Sequence, residues 1–233
     1  MRYVCLSDTH GQHNRLVGDF TVPEGDVLVH AGDMTARGGA FEYVSFIEWM
    51  GKLPHPVKIL VPGNHDRELE SGPVGYFRSY AKSRGIDILI DQEIDVDARQ
   101  KAVSAWGSPR TPEFNDWHFM YPRGGEQAEA LWDAIPDGLD LLVTHGPPHG
   151  VRDTNTAGQM VGCEVLWRRL TSMQAPPRLH VFGHIHEAAG VTHVGRTICV
   201  NASVLDERYR LVRPPTVVEF DDADTLVRID PYV

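Results

Sequence analysis

Six short apolar runs, each ending in a polar or glycine-containing cluster, constrain the fold of this chain more than any single residue does. Residues 3–6 lead to Ser7-Asp8-Thr9-His10, residues 27–30 to Ala31-Gly32-Asp33, and residues 57–61, through Pro62, to Gly63-Asn64-His65-Asp66. Residues 139–143 lead to Thr144-His145-Gly146, residues 179–182 to Gly183-His184-Ile185-His186, and residues 197–200 to Asn201. Short apolar runs bounded by turn signals, with helical patterns between them, read as buried strands of an α/β protein. In open α/β sheets ligands sit beyond the carboxyl ends of the strands. The polar ends of several strands can therefore converge on one cleft.

Between the runs lie helical stripes. Phe41, Val44, Ile47 and Met50 fall on one face, with Gly51 placed to close the segment. Ala128, Leu131, Trp132 and Ile135 follow the i, i+3, i+4, i+7 template up to Pro136, and Cys163, Leu166, Trp167 and Leu170 follow it too. From Ile86 the period becomes two. Ile86, Ile88, Ile90, Ile94 and Val96 share one face of an extended segment, opposite Asp87, Asp91, Glu93, Asp95 and Asp97. No glycine stands at the sixth position of this acidic series, so it reads as a solvated strand face rather than a calcium loop. Residues 101–106 extend the same sheet, and residues 216–220 and 226–229 form a hairpin across an acidic turn. Residues 107–125 show neither period. They hold Pro109, Pro112 and Pro122 among Phe114, Trp117, Phe119 and Tyr121, which fits either a packed flap over the cleft or a surface plug.

A length of 233 residues fits one domain covering 1–233. The balance of 22 basic against 32 acidic residues gives a net charge of −10, with no basic block, which argues against non-specific nucleic-acid binding and anionic membranes. Cys5, Cys163 and Cys199 are odd in number and far apart, the pattern of a reducing compartment. With no signal-peptide pattern before Asp8 and no apolar run near the ~20 residues of a membrane span, a cytoplasmic protein is expected.

Asp8 and His10 stand two apart at a strand end, and His184 and His186 repeat that spacing. With Asp33, Asn64 and His145 they make seven oxygen and nitrogen donors with no thiolate. One strand-end histidine alone is ordinarily a hydrogen-bonded structural residue. Seven donors exceed what one cation uses but suit two that share a carboxylate, with Mn²⁺, Fe, Zn²⁺ or Mg²⁺ as the metal. His30 and His180 lie inside their strands and are assigned to packing, while His13, His55, His118 and His193 are assigned to surface or loops.

Asp8-x-His10, Gly32-Asp33, Gly63-Asn64-His65-Asp66, His145 and Gly183-His184-x-His186 match, in order and spacing, the five blocks of the calcineurin-like metallophosphoesterases, which the chain thereby resembles. The resemblance implies a four-layer αββα sandwich of two mixed β-sheets flanked by helices. It implies that Asp8, His10, Asp33 and His186 hold one metal, and Asp33, Asn64, His145 and His184 the other. His65 would protonate the leaving group, oriented by Asp66. A closer likeness, through Gly107-Ser108-Pro109, Pro122-Arg123-Gly124, Thr144-His145-Gly146-Pro147-Pro148 and Val161-Gly162-Cys163, is to the metallophosphoesterase-domain-containing brain proteins and their bacterial relatives. Some of those have Gly where His184 stands and are weak enzymes; here the imidazole is present. The protein Ser/Thr phosphatase pattern is broken by Ala36 and by Asp66.

Two cations about 3.5–4 Å apart can activate a bridging hydroxide for in-line attack at phosphorus. The resemblance points to a phosphodiesterase on small nucleotide esters, 2′,3′- or 3′,5′-cyclic, with Mn²⁺ the first expectation. Asn64, Arg110, Asn115, Arg123, His149 and Arg152 are the candidate substrate contacts. A phosphomonoesterase and a nucleotide-binding scaffold of little activity are the alternatives.

Overall fold

In the computed structural model, which describes residues 1–231, all six apolar runs contain strands. The chain forms β1 (Arg2–Leu6), β2 (Val27–His30), α1 (Ala40–Lys52), β3 (Val57–Leu60), α2 (Val74–Lys82) and β4 (Asp87–Ile88), then β5 (Gln92–Ala98) and β6 (Lys101–Ser108). A two-stranded ribbon of β7 (Thr111–Pro112) and β8 (Met120–Tyr121) precedes α3 (Gly125–Asp133), β9 (Leu141–Thr144), α4 (Glu164–Ser172) and β10 (Leu179–Phe182). There follow β11 (Gly190–Val194), β12 (Thr197–Asn201), β13 (Thr216–Phe220) and β14 (Leu226–Asp230).

One six-stranded sheet has the order β14-β13-β1-β2-β3-β4 and the other β11-β12-β10-β9-β6-β5. Neighbours from β1 to β4 are parallel, as are β12, β10, β9 and β6, and antiparallel strands flank both sets. The pleat then sets the layers. Tyr3, Cys5, Val27, Val29, Val57 and Ile59 belong to one core with Val103, Ala105, Leu141, Val143 and Val181 of the second sheet. Their strand neighbours Val4, Leu6, Leu28 and Leu60 pack with Phe46, Met50 and Phe77 of α1 and α2. On the far side Trp106 and Leu142 pack with Trp132 and Leu166 of α3 and α4. This is the expected αββα sandwich. Strands covered on both faces read as unbroken apolar runs, which is why they stood out in the sequence.

Three local expectations differ from the structure. The buried stripe of α1 is Tyr43, Phe46, Ile47 and Met50, while Phe41, in the first turn, is 94% exposed, and the helix continues past Gly51. The period-two segment from Ile86 is split between the sheets: β4 closes the edge of the first, and the chain crosses at Leu89–Asp91 before β5 enters the second. Asp91, at φ 52°, fastens that crossing by accepting from Ser108 Oγ at 2.7 Å and Arg110 Nε at 3.1 Å. His13 and His55 are buried, held by Ser45 and by the Pro23 carbonyl. Helix α2 has no counterpart among the sequence stripes, because only Phe77 and Ala81 of it are buried and so narrow a stripe leaves little periodic signal.

Trp132 anchors the α3 layer: it is buried, its Nε1 donates to the Tyr121 hydroxyl at 3.1 Å, and that hydroxyl donates to Cys163 Sγ at 2.9 Å. Trp132→Ala opens a cavity and leaves Tyr121 short of a partner, so about 3–5 kcal/mol of stability should be lost. Urea unfolding checks this; a loss under about 1 kcal/mol would mean that the helical layer packs independently of this ring.

Candidate metal centre

Left-handed turns at the strand ends aim the candidate ligands. Asp8 (φ 55°), His10 (41°), Asp33 (56°) and His184 (69°) all have positive φ, a region that costs a residue with a side chain about 1–2 kcal/mol. Ties between loops hold the backbone there. Asp8 N donates to Gly32 O and His10 N to Asp33 O, both at 2.9 Å, and Gly183 N donates to His145 O at 3.0 Å. The glycines before Asp33 and His184 permit the close approach. A Cβ on Gly32 would lie 2.2 Å from His145 Nδ1, and one on Gly183 would lie 2.2 Å from Asp8 Oδ2.

Two donor clusters result, with Asp33 between them. Asp8, His10 and His186 form one, and Asp33, His145 and His184 the other; within each, the ligand atoms lie within 4.8 Å of one another. Asp33 Oδ2 is 3.6 Å from His10 Nε2, and its Oδ1 is 3.4 Å from His145 Nε2. Asn64 Oδ1 lies 2.9 Å from His145 Nε2, and His186 Nε2 lies 3.4 Å from Asp8 Oδ1. Backbone carbonyls fix two rings: His145 Nδ1 donates to Ala31 O at 2.9 Å and His186 Nδ1 to Asp206 O at 3.0 Å. Their Nε2 atoms are thus turned to the cleft, the way ligating imidazoles are usually held.

The donor set fits divalent cations. His10 and His186 bring their Nε2 atoms to 3.3 Å, where two lone pairs repel unless a proton or a cation lies between them. Burial opposes charge on His145 and His186, but Asp33 and Asp8 outweigh it and hold both pKa values up at about 9. Burial likewise opposes the Asp33 carboxylate, yet His145 and His10 keep it well below the usual range. His10 and His184 are pushed by burial down to about 4 and about 3. Two imidazolium protons therefore stand where cations would sit opposite two carboxylates.

His65 lies beside the first cluster, with a ring nitrogen within 4.8 Å of ligand atoms on His10 and Asp33. Asp66 does not orient it. The Ala36 carbonyl accepts from His65 Nδ1 at 2.9 Å. Asp66 is buried and instead accepts from Gly63 N at 2.7 Å, Thr35 N at 3.0 Å and Thr35 Oγ1 at 2.7 Å, clipping the loop of Asp33 to the loop of Asn64. Burial and the nearby Asp33 charge raise its pKa to about 6. Turned between the two loops, with Met34 N as a further donor, the side chain satisfies four donors that a triad geometry would leave unpaired.

The candidate substrate contacts separate. Arg110 pairs with Asp91 and Glu70. Arg123 is held by the Val161 and Gly162 carbonyls and Glu164, and Arg152 donates to the Val191 carbonyl. His149 sits 3.8 Å from Asp153, and Asn115 is on an exposed left-handed turn of the 107–125 segment. That segment reaches the metal centre. Trp117 stacks on His65 at 4.3 Å and 29°, Phe114 meets His184 edge-on at 5.0 Å, and His118 N donates to Asn64 O. Phe119, by contrast, is buried in the α1/α2 core. Ser203, whose hydroxyl donates to Asp8, and Tyr209, set edge-on to His10 and His186, went unnoticed in the sequence. Ser203 follows the sixth strand end and was within reach of that pattern; Tyr209 carries no local signal.

An αββα sandwich with imidazoles and carboxylates gathered at its strand ends is the build of a metallophosphoesterase. Residues 1–188 match the calcineurin-like phosphoesterase family, and the chain belongs to it. It is 40% identical over 235 residues to metallophosphoesterase domain-containing protein 1 of Homo sapiens, covering 94% of this chain and 70% of that protein, and equally similar to the Mus musculus protein of that name. The crystal structure of phosphopantetheinyl hydrolase from Mycobacterium tuberculosis shares the fold, with a TM-score of 0.59 at 17% identity over 89% of this chain and 90% of that one. Among the described residues no helix is long and apolar enough to cross a membrane.

Because His145 and His186 stay protonated until the pH climbs through about 9, a cation must displace their protons at pH 7. Mn²⁺ uptake should release protons at pH 7, and apparent affinity should rise toward about pH 9. Calorimetric titration in buffers of different ionisation enthalpy reads both effects; affinity flat over that range would contradict the proton-for-metal exchange.

Proposed function

We propose that the protein is a metal-dependent phosphodiesterase of the cytoplasm, one domain over 1–233, acting on small nucleotide esters such as 2′,3′- or 3′,5′-cyclic nucleotides. Family membership supports a phosphoester hydrolase. Asp8, His10, Asp33 and His186 would hold one divalent cation and Asp33, Asn64, His145 and His184 a second, with Mn²⁺ ahead of Fe, Zn²⁺ and Mg²⁺. When bound, such a pair supplies Lewis-acid activation of water and neutralises charge on the phosphoryl group.

The observation that carries the nucleotide reading is the aromatic flap resting on the site. Trp117 and Phe114 lie against His65 and His184, and Phe114 and His184 together line a cavity of about 370 Å³. A flat base has rings to stack on there. The diester reading rests on charge. Arg110 and Arg123 are paired with acids or carbonyls, so neither adds an uncommitted cation for the extra charge of a monoester.

His65 is the proton donor in this reading. Its Nδ1–H stays on the Ala36 carbonyl, which leaves Nε2 to give a proton to the departing oxygen, and the ring ends neutral with its backbone bond intact. Trp117 covers one face of the ring and His10 meets it edge-on at 4.6 Å, limiting its rotation.

Such proton donation contributes about 10²–10⁴-fold where the leaving group is a poor one. His65→Ala should cost that much on cyclic nucleotides but far less on bis-nitrophenyl phosphate, whose nitrophenolate leaves unaided. Equal losses on both would reassign His65 to phosphate binding. For the wild type, kcat/KM should be higher for bis-nitrophenyl phosphate than for nitrophenyl phosphate; the reverse order would make the protein a phosphomonoesterase.

A further inference from the structure

His30 is buried at the end of β2, three residues before Asp33, and its ring meets Phe46 of α1 edge-on at 4.7 Å. Packing alone would suit any large apolar side chain there. Both ring nitrogens are instead hydrogen-bonded. Nδ1 accepts from Gly32 N at 3.3 Å, and Nε2 lies 3.1 Å from Thr9 Oγ1, which in turn reaches Met34 O at 3.5 Å. These bonds fix the protons. A ring nitrogen that accepts carries no hydrogen, so the imidazole is neutral with its hydrogen on Nε2. Thr9 Oγ1 receives that hydrogen bond and gives its own proton to Met34 O.

The place of this chain of bonds gives it a consequence for the metal centre. Thr9 stands between Asp8 and His10, and Gly32 and Met34 flank Asp33. One imidazole therefore joins the turn that carries two of the candidate ligands to the turn that carries a third. Asp8, His10 and Asp33 all sit at positive φ, so both turns relax unless something holds them. His180, buried in β10 of the second sheet, makes a smaller contribution. Its Nε2 bonds Thr144 Oγ1 at 2.8 Å, but that hydroxyl gives its proton to Gly146 O within the same turn, and His180 Nδ1 has no partner among the described residues. His180 steadies one turn, whereas His30 joins two.

We propose that His30 is a positioning residue for the cation held by Asp8, His10, Asp33 and His186. The assignment rests on the two-cation reading given above and goes beyond its ligand set. Held as the Nε2–H tautomer, the ring fixes how far the Asp8–His10 turn stands from Asp33. Cutting the bond to Thr9 lets the two turns shift against each other, and a cation held between them is bound less tightly. Asn64, His145 and His184 lie on other turns and keep their places.

Calorimetric titration of the metal-free 233-residue protein with Mn²⁺ tests this, with the step abolished by His10→Ala marking the site concerned. Thr9→Val keeps the shape of the side chain and removes its hydroxyl. His30→Asn keeps an acceptor for Gly32 N–H but falls short of Thr9. Each should weaken that step about 10–100-fold, the usual effect of removing an outer hydrogen-bond partner, and change the other step much less. Both substitutions cut the same chain of bonds, so the double variant should bind about as well as the weaker single one. Thr9→Ser retains the hydroxyl and should bind like the wild type, which a loss of packing at position 9 would not allow. Should His30→Asn fail to fold, Thr9→Val and Thr9→Ser decide between them. Wild-type affinity in Thr9→Val, or equal weakening of the two steps, overturns the assignment and leaves the two-cation reading standing. If the wild type takes up only one Mn²⁺, the two-cation reading itself fails, and the assignment of His30 with it.

Discussion

Two buried carboxylates, Asp8 and Asp33, face imidazoles across the seam between the sheets, and the rest of the structure depends on keeping them paired. Leaving a buried charge without its partner costs about 3–5 kcal/mol. Each carboxylate here is answered from the opposite sheet: Asp8 by His186, by the His184 N–H and by the Ser203 hydroxyl, and Asp33 by His145. The left-handed turns, the glycines that admit the neighbouring loop and the Asp66 clip all hold those groups together. The strain in the turns is therefore the local cost of gathering these carboxylates and imidazoles at one seam.

The flap uses the same seam differently. Its inner end is secured by Phe119 in the α1/α2 core and by Glu70, which accepts from Phe119 N at 2.9 Å. Its outer residues Phe114 and Trp117 are then partly exposed and lie on His184 and His65. A loop fixed at its root, here by the short β7/β8 ribbon as well, can carry aromatic rings over a polar site.

How much was legible in the sequence follows from the range of each interaction. The strand ends were legible because strands buried on both faces leave unbroken apolar runs, short as they are, each ending in a polar cluster. That Asp8, His10, Asp33, Asn64, His145, His184 and His186 come together was legible for the same reason, and so was the sandwich. The partner of His65 was not. A backbone carbonyl such as that of Ala36 has no sequence signature, whereas the adjacent Asp66 suggested itself by proximity and proved to satisfy its own turn. The β4 to β5 crossing was hidden because an alternating pattern looks the same whether it stays in one sheet or changes sheets. Tyr209 reaches His10 from 199 positions away in the chain, held by Gln12 on its carbonyl, and no local pattern encodes such a contact.

The central claim is that Asp33 joins two cation sites into one centre. Anomalous diffraction from crystals grown with Mn²⁺ tests it most directly. Two peaks are expected about 3.5–4 Å apart, with Asp33 touching both, the ligands Asp8, His10 and His186 on one side and Asn64, His145 and His184 on the other. A single peak at full occupancy, or two peaks of which Asp33 touches only one, would contradict the account.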